Sequence, residues 1–174
     1  MQIIFKKEAL SKFALKVISL MRENTLNGIS ADGSPFAAYS SKPFVMPAGA
    51  VTQKALKKLD KQGSIYWFKA KSSGNLWVLI QGGYKALREA KGRGLDVDLT
   101  DTGQMLRALI PVDFKENEIK IGFTNAEAAE KAYYHCVAGA GKGKTIRNFL
   151  GLPDYGWQEA VEYLDLTGAR IIEN

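Results

Sequence analysis

One cysteine, Cys136, and one histidine, His135, are all that this 174-residue chain contains of either type. A lone cysteine excludes an internal disulfide framework. With a lone histidine, no zinc site of cysteines and histidines can be assembled inside one chain, so metal chemistry would need carboxylates alone, and no metal or other cofactor is expected. Every histidine-dependent triad would hang on His135, and no Gly-x-Ser-x-Gly elbow is present. No run of 18 apolar residues occurs, which argues against a membrane-spanning helix. The opening MQIIFKKEAL places its lysines after a short apolar stretch, the reverse of a secretory signal, so the chain is expected to stay in the cytoplasm where it is made. Internal repeats and low-complexity tracts are also lacking.

What is present is a composition for a folded core. Apolar residues make up 46% of the chain, which suffices for a single domain burying about two thirds of its unfolded surface. The net charge of +6 is unevenly spread: residues 54–61, 82–94 and 139–148 each sum to +3, whereas 149–174 sum to −4. Basic patches of this kind attract nucleic acid or acidic protein surfaces without saying which.

Periodicity predicts a short strand at 2–5 and then an amphipathic helix carrying Leu10, Phe13, Ala14, Val17, Leu20 and Met21. Residues 24–47, rich in Gly, Ser, Pro and Asn, read as a long loop or arm. A helix is next at 49–61, with Val51, Ala55 and Leu59 inward and Gly63 as its C-terminal cap. Residues 64–70 and 76–80 read as a hairpin, with Tyr66 and Phe68 on one face and Trp67 on the other. A short basic helix occupies 84–91. Thr100 or Asp101 then caps a helix holding Met105, Leu106 and Leu109 and ending at Pro111, before a hairpin of 110–114 with 118–123 joined by KENE. Thr124 and Glu127 form a capping box for a helix whose shared face is Ala126, Ala129, Tyr133 and Val137. Finally Trp157, Ala160, Val161 and Leu164 make a full stripe on a helix capped by Asp154. Helices interleaved with antiparallel hairpins define an α+β fold, a single domain of hairpins packed by several amphipathic helices.

Three motifs invite chemistry. AGAGKGKT at 138–145 satisfies a relaxed phosphate-loop pattern, but neither the preceding buried strand nor the long following helix of such a site is offered, so a flexible basic loop is expected. Asp96, Asp98 and Asp101 lack the later Gly and Glu of a calcium loop and read as caps and solvated strand ends. His135 and Cys136, adjacent on a helix, point about 100° apart, a poor geometry for a catalytic pair. The aromatics Tyr66, Trp67, Phe68 and Trp77 beside Lys69 and Lys71 suit either a packed hairpin or the stacking of single-stranded nucleic acid.

GGYKALREAKGRGLDVDLTDTGQML at 82–106, KIGF at 120–123 and IRNFLGL at 146–152, in this order and spacing, resemble the tailed-phage virion morphogenesis family of tail-completion or neck proteins. DGSPFAAYS at 32–40 is similar to that family's early Asp-Gly, Pro-aromatic loop, whereas about 43–80 departs from the pattern as an insertion. The resemblance implies a non-enzymatic virion protein at the head-to-tail junction, made in the host cytoplasm. It implies rings of six or twelve copies, portal-side and tail proteins as partners, and possible non-specific contact with DNA in the channel. Arg88, Arg147, Phe149, Trp157, Glu159 and Glu162 are the candidate subunit-interface residues, with an acidic C-terminal helix meeting a basic surface around Lys85, Arg88, Lys142 and Arg147. Phe36, Tyr39 and Phe44 are candidates on the docking arm. From a different class, a basic nucleic-acid-binding module remains the alternative.

Overall fold

The computed structural model describes residues 2–115, 118–141, 143–166 and 170–173, with the side chains of 2–5 and 170–173 left aside. Lys142 and the centre of the KENE turn therefore lie outside the described residues. In chain order the elements are β1 (Gln2–Phe5), α1 (Lys7–Leu26), β2 (Phe44–Pro47), a 3-10 turn (Ala48–Ala50), α2 (Gln53–Lys61), β3 (Ile65–Lys69), β4 (Leu76–Ile80) and α3 (Gly83–Ala90). They continue with the single turn α4 (Gln104–Arg107), β5 (Leu109–Lys115), β6 (Glu118–Phe123), α5 (Ala126–Tyr133), a π-helical turn (Tyr134–Ala138), α6 (Asp154–Leu166) and β7 (Arg170–Glu173). Helices plus wholly antiparallel strands make the α+β class expected. The chain divides into two compact units: a frame, Met1–Ala37 with Asp98–Asn174, and an inserted unit, Ala38–Val97.

In the frame, β1 pairs antiparallel with β7, so that the two ends of the chain share one ladder. Along α1 the residues Ala9, Leu10, Ala14, Val17, Ile18, Leu20 and Met21 are buried at helical spacing. Val17, Leu20 and Met21 pack with Leu152 and with Ala160 of α6. The β5–β6 hairpin forms as expected, with a register shift between Pro111 and Asp113. There the expected helix through Leu109 fails: α4 stops at Arg107, starts from Gly103 with no side-chain cap, and Leu109 opens β5. Pro111 sits in a strand because a bulge spares it a ladder donor. The cap of α5 also moves by one residue, since Asn125 and not Thr124 accepts from Ala128 N, at 2.9 Å.

The inserted unit is a three-stranded sheet in the order β2-β4-β3 with α2 and α3 against one side. Ala55, Leu56 and Leu59 of α2, Leu87 and Ala90 of α3, and Ile65, Val78 and Ile80 of the sheet form its core. Thr52 caps α2 by accepting from Ala55 N, and Gly63 comes after the helix at φ 63°, the left-handed backbone foreseen for a C-terminal cap. Gly83 is required for a different reason: at φ 67° a Cβ would strike the carbonyl oxygen of Ser40, which accepts from Lys85 N at 3.1 Å. The predicted loop at 24–47 is thus divided. Its first residues finish α1, its last four are β2, and the stretch between is ordered by bonds such as Phe36 N to Gly28 O at 2.7 Å.

Candidate interaction surfaces

Three arginines act as internal clamps, because a planar guanidinium can satisfy several backbone carbonyls that helix and strand ladders leave over. Arg22 of α1 donates through Nε to Leu106 O at 2.9 Å and through Nη2 to Leu109 O at 2.9 Å, fastening the turn from α4 into β5. Arg147 donates through Nε to Ala37 O at 2.9 Å, while its own backbone N–H donates to His135 O at 2.7 Å. In the inserted unit Arg88 donates to Gly94 O at 3.2 Å and lies 4.6 Å from the Tyr39 ring centroid, a cation–π contact; Tyr39 in turn meets Tyr84 edge-on at 5.2 Å.

These positions correct half of the interface expected from sequence. Arg88 is 2% exposed, Arg147 6% and Phe149 1%, so none of them presents a side chain to a neighbouring subunit; each holds its own unit together. The IRNFLGL segment instead turns Ile146 and Leu150 outward. Phe36 is buried, Tyr39 is half-buried against Tyr84 and Arg88, and Phe44 packs on the core of the inserted unit. No docking arm is formed by these three residues, because each is already engaged in packing.

The α6 candidates are at the surface. Gly156, Ala160 and Leu164 are buried, whereas Trp157 and Val161, expected to share that inward stripe, are 42% and 45% exposed. Small residues on α6 take the inward face and push the larger ones outward. Glu159 is exposed but accepts a 2.6 Å bond from Lys16, and Glu162 is exposed.

The second surface is the uncovered side of the inserted sheet. Register pairs Tyr66 with Leu79 and Phe68 with Trp77, and β4 in turn pairs Val45 with Leu79 and Pro47 with Trp77. Residues in register share a face, so Val45, Pro47, Tyr66, Phe68, Trp77 and Leu79 form one apolar sheet face opposite the core residues Val78 and Ile80. Trp67 stands on the other side, as the alternation predicts, with Nε1 donating to Asp60 Oδ1 of α2 at 3.0 Å. An open groove of about 640 Å³ runs between Trp67, Trp77, Leu56 and the Pro47–Gly49 turn. Val45 and Pro47 escaped sequence reasoning because the prolines at 43 and 47 mark a loop, although the apolar run FVM between them was the available signal.

A third apolar patch lies beside the π-helical turn. The shared face expected on α5 is turned outward: Ala126, Ala129, Tyr133 and Val137 are exposed, and Ala128 and Ala132 are buried. Small alanines let the helix seat closely, and the extra residue of the π turn rotates the chain beyond it. His135 is half-buried with Nδ1 lacking a partner, and burial, then the Arg147 guanidinium, holds its pKa below the ordinary value. Burial pushes the Cys136 thiol up, partly opposed by the backbone N–H groups of Phe149 and Leu150. Next along the chain, within AGAGKGKT, Ala140 and Thr145 pair with each other: Ala140 N donates to Thr145 O at 2.9 Å and Thr145 N to Ala140 O at 3.1 Å. Gly139, at φ 81°, is needed because a Cβ would strike the Lys144 carbonyl. With a π turn before it and no helix after it until Asp154, this segment lacks the cradle of helix amides that a phosphate loop uses. Among the described residues no three of His, Cys, Asp or Glu gather as a metal site, and no helix is long and apolar enough to cross a membrane.

No protein-family model matches the chain, and neither a curated protein nor a solved structure is similar to it.

Proposed function

We propose that this protein is a non-enzymatic structural component of a tailed-phage virion, a tail-completion or neck protein that self-associates into a ring and docks to portal-side and tail proteins. In this reading it is made in the host cytoplasm and ends in the virion. The observation that supports it most is the way two of the segments carrying the family resemblance, the Asp-Gly loop and IRNFLGL, are fastened together in the frame. Ala31 N and Ser30 Oγ both donate to Asn148 O, at 2.8 and 3.0 Å, and Arg147 Nε donates to Ala37 O, so the Asp-Gly loop and IRNFLGL form one structure although they lie far apart in the chain. Such a joint gives the shared motif residues a scaffold role, and leaves contact with partners to the exposed surfaces. The insertion seen in the resemblance at about 43–80 falls within the second unit, 38–97, which also holds the first part of the resembling segment 82–106.

Light scattering on the purified full-length protein, at low and raised salt, tests the reading. A closed hexamer or dodecamer that loosens as salt rises is the expected result; a monomer at every concentration counts against it. The inserted unit favours one second reading, a basic nucleic-acid-binding module, since it holds eleven Lys and Arg against three Asp and Glu. A random oligonucleotide bound with steep salt dependence would support that alternative.

A further inference from the structure

We infer that the open sheet face of the inserted unit receives the exposed face of α6 from a second copy of the chain, an inference that rests on the assembly reading above. The sheet face is apolar at every outward position along its paired strands: Val45, Pro47, Tyr66, Phe68, Trp77 and Leu79. Tyr66, Phe68 and Val45 are exposed, so the patch is uncovered in the single chain. Its charge lies at the margin, with Lys69 and Lys71 at the hairpin end and Lys42 ahead of β2. Sheets that bind single strands need cations close to the stacking rings to hold phosphates. An apolar centre with a basic margin fits a protein surface having an apolar centre and an acidic margin.

The chain itself carries such a surface. On α6, Trp157 and Val161 stand one turn apart and exposed, and Asp154, three residues before Trp157, and Asp165, four after Val161, lie on the same exposed side. The inserted unit has a net charge of +8, and residues 149–174 have −4, so the two surfaces attract. The dimensions also agree: a 13-residue helix is about 20 Å long and a five-residue strand about 17 Å. Because the two faces differ, the contact is head-to-tail, and repetition closes a ring or extends a filament. Burying the aromatic centre supplies most of the affinity, and the charged margin chiefly steers encounter.

The test uses the full-length chain in a Cys136→Ser background. Phe68→Cys and Trp157→Cys together should form, on mild oxidation, inter-chain disulfides that build a ladder beyond the dimer, whereas either cysteine alone stops at a dimer. Phe68→Glu, at an exposed position, should leave the circular dichroism spectrum unchanged and weaken self-association by at least about tenfold. A wild-type oligomer that persists in Phe68→Glu, with no ladder from the double cysteine variant, overturns this docking and leaves the assembly reading standing. A wild-type protein that is monomeric throughout overturns both. Oligonucleotide binding lost in Phe68→Glu with native mass unchanged assigns the face to nucleic acid and overturns the docking.

Discussion

The frame and the inserted unit use their arginines alike and their remaining charge in opposite ways. Each turns an arginine inward onto backbone carbonyls, Arg147 in the frame and Arg88 in the insert. Yet the insert keeps a net +8 within 38–97, while the frame, which holds more than half of the sequence, sums to −2. Net charge and the identity of a basic residue therefore speak about different things. The charge of a whole unit describes its field toward partners, whereas an individual arginine in a motif can be wholly consumed by the fold. Reading Arg88 and Arg147 as interface residues from their charge mistakes the second quantity for the first.

That contrast is broken most severely through the buried residues. Phe149→Ala should cost about 3–5 kcal/mol by denaturant unfolding, because it opens a cavity in the frame, and Leu59→Ala about 2–5 kcal/mol in the insert. The exposed counterparts Leu150→Ala and Phe68→Ala should each stay within about 0.5 kcal/mol. A surface role for Phe149 would instead leave stability unchanged and alter only association.

Next come the clamps. Arg147→Ala removes a charged donor from Ala37 O and should destabilise by about 1.5–3 kcal/mol, and Arg147→Lys should recover little of this, since a point ammonium lacks the planar fork. Arg88→Ala should behave the same way in the insert, with the added loss of the Tyr39 contact. If either variant kept its full stability but lost the oligomer, the internal assignment would be wrong and the interface reading restored.

Acid should separate the units further, because the sole histidine is in the frame. His135 has a folded-state pKa held below its ordinary 6.5 by burial and by Arg147. The unfolded chain then binds the proton more readily, so the stability this group contributes is present above about pH 6.5 and is lost as pH falls toward the folded value. His135→Gln should flatten unfolding free energy against pH across that window. An unchanged slope in the variant would place the pH dependence elsewhere.

Much of the fold was legible because it derives from strict periods: the α1 stripe, both hairpins and the split of Tyr66 and Phe68 from Trp67 all rest on alternation or helical spacing. Where residues on several faces are small, the period loses its direction. On α5 the spacing of Ala126, Ala129, Tyr133 and Val137 is genuinely helical, yet Ala128 and Ala132 are the ones that let the helix approach closely. On α6 the same competition buries Gly156 and Ala160 and exposes Trp157 and Val161. The site was harder still, since its sheet face depends on β2, which two prolines disguise, and its clamps reach carbonyls that no local pattern announces. The bond from Arg147 to Ala37 O spans 110 positions.

The smallest expected effect sharpens the comparison at α6, where two neighbouring carboxylates have different surroundings. Glu159 accepts from Lys16 at 2.6 Å, with about half of its side chain exposed, so the pair is well solvated and Glu159→Gln should change stability by less than about 0.5 kcal/mol. Its charge is already balanced within the chain, and native mass should move little. Glu162 is exposed and lies about 100° around the helix from Val161, so Glu162→Lys should leave folding equally unmoved while weakening self-association and reducing its salt dependence. Light scattering across a salt series distinguishes the two. Effects in proportion to the charge change, one unit for Glu159→Gln and two for Glu162→Lys, would mean that α6 acts only through its total charge, and that the position of a carboxylate on the helix does not matter.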